Sequence, residues 1–115
     1  MATTPYQEAL KWIQSNPTTG GASSLAKLVL SLWNSECCFS YAECVGNLDA
    51  NLTELTVRMI GQYAIHGETQ DLVDVGNKVC ELYPRLWELT QAMQDARGTI
   101  RKQWEEKRLA AADDQ

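Results

Sequence analysis

Apolar positions along this chain recur at intervals of three and four residues, and no apolar–polar alternation persists anywhere. Such spacing marks one face of an α-helix, where a strand would repeat every second residue. Tyr6, Ala9, Leu10 and Ile13 share the first stripe, with Trp12 at its edge. Thr4-Pro5-Tyr6-Gln7 precedes it as a capping box with proline at the first helical position, and Asn16-Pro17 closes it. Thr18-Thr19-Gly20-Gly21 reads as a flexible joint, with a second helix starting near Ala22 or Ser23. Leu25, Leu28, Val29, Leu32 and Trp33 line that helix, and Ala26 and Leu30 widen its apolar surface, which predicts extensive burial.

Ser40-Tyr41-Ala42-Glu43 is a second capping box, opening a short helix that ends near Gly46-Asn47. Phe39 and Cys44 stand at the spacing of a hydrophobic staple around it. Asp49 or Asn51 caps the next helix, whose stripe is Leu52, Leu55, Met59, Ile60 and Tyr63, and His66-Gly67 ends it. Leu72, Val75, Val79 and Leu82 line the following helix, with Gly76 inside the pattern as a point of close helix approach. Tyr83-Pro84 breaks or bends the chain, and a new helix can begin at Pro84. Leu86, Leu89, Met93, Ala96 and Ile100 then follow coiled-coil spacing, which lapses at Gln103 and Lys107. The pattern predicts an all-α, single-domain bundle of five or six helices over residues 1–115. Residues 85–112 form a long, partly projecting C-terminal helix, and residues 113–115 a frayed tail.

Charge changes the picture at that end. The 115-residue chain carries a net charge of −5, which opposes general nucleic-acid binding. Glu36 to Glu81 holds eight acids against Arg58 and Lys78, a net of 2 − 8 = −6. Arg97 to Arg108 holds five bases against Glu105 and Glu106, a net of 5 − 2 = +3. Glu54, Glu68, Asp71 and Asp74 are the candidate acidic surface, with Glu54 also spaced to pair with Arg58 one turn on.

Chemistry-bearing residues add little. Cys37, Cys38, Cys44 and Cys80 include neither the paired spacing of a zinc site nor a Cys-x-x-Cys redox motif. They read as small apolar fillers, and His66, the single histidine, as a helix end. No phosphate-binding glycine loop or nucleophile elbow occurs. Catalytic residues, cofactor and metal are therefore all expected to be absent. The opening residues lack a secretory pattern and no apolar run reaches the length of a membrane span, so a cytoplasmic protein without membrane contact is expected.

Tryptophan among charged residues is the remaining signal. Trp104 follows Ile100 at one helical turn, past the continuous stripe and among Lys102, Gln103, Glu105 and Glu106, and tryptophan and arginine are enriched in interface hot spots. Met93, Arg97, Ile100, Arg101, Trp104 and Arg108 are the candidate partner-binding residues. The expected function is a non-catalytic interaction module that binds a protein partner or itself, as a homodimer, through the last helix. The alternative is an acidic inhibitor or nucleic-acid mimic, of the kind phages and other mobile elements carry, blocking a nucleic-acid-handling enzyme. An enzyme completed by Cys/His or carboxylates ranks third.

Overall fold

A computed structural model describes residues 3–113. Six helices follow one another: α1 (Pro5–Ser15), α2 (Gly20–Trp33), α3 (Tyr41–Val45), α4 (Ala50–His66), α5 (Gln70–Leu82) and α6 (Pro84–Asp113). The described residues contain no strand. The expected all-α bundle with a long last helix is the observed architecture.

Side-chain oxygens set the helix starts. Thr4, Thr19, Ser40, Asp49 and Thr69 each accept a hydrogen bond from a first-turn backbone N–H, and Thr4 and Ser40 form full capping boxes with Gln7 and Glu43. Thr19 corrects the expected joint. It caps α2 directly, so Gly20 and Gly21 lie inside the first turn. Gly21 is tightly enclosed there: a β-carbon would stand 3.2 Å from the Trp12 ring and 3.3 Å from Leu52. The turn after α3 likewise uses Asn47, at φ 63°, as its left-handed residue, while Gly46 is extended. Gly67 ends α4 at φ 65° and ψ −149°, a region that a β-carbon disfavours.

α2 is the central element and packs against α1, α3, α4 and α5. Leu25, Ala26, Leu28, Val29 and Leu30 are buried on it, which accounts for apolar residues around most of its circumference. Tyr6, Ala9 and Ile13 from α1, Leu52, Leu55 and Met59 from α4, and Leu72, Val75 and Val79 from α5 complete the core. Phe39 and Cys44 are both buried beside α3. Gly76 fulfils its expected role: a β-carbon there would fall 2.2 Å from ring atoms of Trp33, so α5 and α2 approach over a bare backbone.

Pro84 breaks the chain instead of bending it. α5 ends at Leu82, Tyr83 adopts a non-helical φ −127° and ψ 65°, and α6 starts with Pro84. α6 is seated on α5 and on Trp33, whose ring meets Trp87 edge-on with centroids 5.9 Å apart. The principal extents are 62 × 30 × 24 Å, and the radius of gyration is 17.3 Å. A closely packed domain of this length would measure about 13 Å. The excess comes from α6, which reaches beyond the other five helices.

Candidate functional site

Residues 84–94 of α6 belong to the body. Leu86 and Thr90 are buried, and Trp87 and Met93 pack against the core. The expected seam of Leu86, Leu89 and Met93 is thereby corrected. Leu89 remains 52% exposed, and Thr90 takes the inward position with no exposure at all. Its hydroxyl donates to the Leu86 carbonyl at 3.1 Å, which satisfies the polar group in place. Counting threonine as polar hides this position. A sequence signal does exist, because Leu86, Thr90 and Met93 fall at intervals of four and three.

From Asp95 to Asp113 every residue is exposed, a run of 19. At ~1.5 Å per residue the run is ~28 Å long. One tether marks its base: the Arg97 guanidinium donates to Cys38 Sγ, and Glu36, Gln94, Gly98 and Arg101 line a small cleft there. At about 100° per residue, Leu86, Thr90, Met93, Arg97, Ile100, Trp104 and Arg108 fall within an arc of ~80°. The face that α6 buries against its own body therefore continues past the body's edge into solvent. Ile100 is 43% and Trp104 64% exposed on it. With Ala96, Arg97 and Arg101 they line a shallow groove of about 360 Å³.

The candidate partner-binding residues thus divide. Arg97, Ile100, Arg101, Trp104 and Arg108 share the exposed face, while Met93 is partly buried against the core. Arg108 is engaged within the helix, where its Nε and Nη2 donate to the Glu105 carboxylate at 3.1 and 2.5 Å. That bond holds the Glu105 carboxyl below its ordinary range.

The acidic candidates are less uniform than a solvated face. Asp71 is partly buried and joins α5 to the start of α1, accepting from Thr4 Oγ1 and, at 2.8 Å, from Gln7 Nε2. Asp74 accepts from Gln70 at 2.9 Å. Arg58 bridges Glu54, at 3.8 Å, to Glu8 on α1, at 2.8 Å. Glu68 is exposed.

Cys37 and Cys44 are buried, and burial pushes both thiols above their ordinary range. The Thr90 hydroxyl beside Cys37 and the Ser31 hydroxyl beside Cys44 oppose that rise without cancelling it. Both thiols are thus held protonated, the opposite of an activated nucleophile. Burial also raises Cys80. His66 is exposed at the end of α4. Among the described residues no three His, Cys, Asp or Glu side chains are grouped to hold a metal ion, and no helix is long and apolar enough to cross a membrane.

Compared with protein-family models, curated proteins and solved structures, the chain matches none.

Proposed function

We propose that this protein is a small, non-catalytic interaction module that works through the exposed face of α6, pairing with another copy or with a protein partner. The observation that carries the reading is that the face α6 packs on its own body continues past the body through Ile100 and Trp104, within a segment of 19 exposed residues. Helices in proteins owe most of their stability to a packed apolar face. An exposed helical face bearing isoleucine and tryptophan suits docking in a partner's groove, where such side chains act as anchors. The tether at Arg97 and the Trp33–Trp87 contact hold the base of the projecting segment in a set direction. A photo-crosslinking residue in place of Trp104, in the full chain inside its native cells, tests the reading. A discrete adduct that disappears when Ile100→Asp is added is expected. Absence of any adduct from this face overturns it.

A further inference from the structure

We infer that the occupant of the α6 face is the acidic body of a second copy of this chain, the two copies docking reciprocally about a two-fold axis. The inference rests on the reading of α6 as the interaction element and supplies its partner. Charge is the first argument. Residues 97–108 carry 5 − 2 = +3, whereas residues 1–84 carry Lys11, Lys27, Arg58 and Lys78 against nine acids, 4 − 9 = −5. The Ile100–Trp104 face is flanked on one side by Arg101 and on the other by Lys107, so anything seated on it lies between two cations. A net-negative partner suits that position, and residues 1–84 of this chain carry a net of −5.

The same charges argue against the other symmetric arrangement. Pairing the basic stretches, residues 97–108, of two projecting segments with each other sets +3 beside +3, and like charges in contact weaken an interface. Laying each segment on the partner's body turns both terms attractive. Size is the second argument. A projecting segment ~28 Å long and ~11 Å wide has a footprint of roughly 300 Å². Used once, that lies well below the ~800 Å² per partner of a standard specific interface. Reciprocal docking makes each copy both donor and receiver, which doubles the footprint to about 600 Å² per copy. The third argument is continuity. The face buries Leu86, Thr90 and Met93 on its own body before it presents Ile100 and Trp104, so a second body fits at the end of the first along one helical stripe.

Sedimentation equilibrium on the purified full chain tests this, with Trp104→Ala and Arg101→Glu/Lys107→Glu as variants. All three positions are exposed, so unchanged helical circular dichroism and urea midpoint will certify the fold. A dimer is expected whose dissociation constant rises about tenfold or more between ~0.05 and ~0.5 M salt, as screening shortens the reach of the charges. Trp104→Ala and the charge-reversed variant are both expected to be monomeric. A dimer that holds or tightens with salt, or survives charge reversal, overturns the inference in favour of pairing between the projecting segments. A strict monomer at millimolar concentration in low salt overturns it too. If that monomer still forms a discrete heavier adduct with another protein at position 104, the interaction reading survives with a foreign partner. If it forms none, both fall.

Discussion

α6 is one helix in two environments. Over its first eleven residues, Pro84 to Gln94, it contributes Leu86, Trp87, Thr90 and Met93 to the core and rests on Trp33 and α5. Over the remaining 19 it touches the body through Arg97 alone among the recorded hydrogen bonds and ion pairs, and every residue is exposed. Both halves are one continuous α-helix, so the difference lies in what covers the side chains. The seated half is held by tertiary packing. The projecting half relies on helix propensity and local pairs such as Glu105–Arg108. A segment so placed keeps its apolar side chains available.

The largest effects should appear where the body is densest. Leu25 has no exposure, and Leu25→Ala should lower unfolding free energy by about 2–5 kcal/mol in urea denaturation. Trp104→Ala removes a larger side chain, yet should move the monomer's stability by less than about 0.5 kcal/mol. If Trp104→Ala destabilised the isolated monomer as Leu25→Ala does, the projecting half would have to fold back on the body, and the contrast between the two regions would vanish.

Next in size is Gly76→Ala. Alanine improves helix propensity by about 1 kcal/mol, but its β-carbon would meet the Trp33 ring at 2.2 Å. Trp33 has to move, and it is also the seat of Trp87. Overpacking of this kind costs about 1–3 kcal/mol, so net destabilisation is expected in urea denaturation, with altered tryptophan emission. A neutral or stabilised variant would mean that the α2–α5–α6 junction tolerates displacement, and that the direction of the projecting segment is not set there.

Element type and order were legible because capping boxes and stripes of three-and-four spacing are local signals. Thr4, Ser40 and Pro84 each act where the pattern puts them. The misread positions have polarity or flexibility that tertiary contact overrides. Gly20 and Gly21 read as a joint but enter α2 because Thr19 caps it and Trp12 and Leu52 close over Gly21. Thr90 is absent from the apolar stripe yet fully buried, its hydroxyl satisfied by the Leu86 carbonyl of its own helix. Asp71 reads as part of a solvated acidic face but ties α5 to α1, a contact 64 to 67 residues away in sequence that no local pattern encodes. Ile100 and Trp104 stood out as apolar residues among charges. Ile100 already lies on the spacing that contains Leu86 and Met93; the place of Trp104 on the same face follows from the inward position of Thr90.

A smaller effect separates the regions by pH. Glu43 closes the α3 capping box by accepting from the Ser40 backbone N–H at 3.3 Å, and Lys27 lies 3.5 Å away. The Ser40 bonds, then Lys27, hold its carboxyl below 4.5. A folded value below the unfolded one means that its contribution is present above about pH 4.5 and is lost as pH falls through the depressed folded value. Glu43→Gln keeps an acceptor at the cap but cannot titrate. The stability gap between wild type and Glu43→Gln should therefore be open at neutral pH and close on acidification, measured by urea midpoints from about pH 7 to about pH 3. A gap that stays constant would assign the effect of Glu43 to packing instead of charge.

Gly98→Ala has the smallest effect on global stability and separates the two halves of α6 most directly. It is the same substitution as Gly76→Ala, in the same kind of backbone, but a β-carbon at Gly98 meets nothing within 4 Å. Only the propensity gain of about 1 kcal/mol remains. In a segment that opens independently of the core, that gain appears locally. For the monomer at high salt, amide protection over residues 99–110 should rise about fivefold, the equivalent of ~1 kcal/mol, while the urea midpoint barely moves. If the midpoint instead rises by the whole propensity gain, the projecting half unfolds together with the body as one cooperative unit. The boundary near Gln94 would then describe exposure without describing energetics, and rigidity of the full rod, in place of local availability of Ile100 and Trp104, would be the property a partner meets.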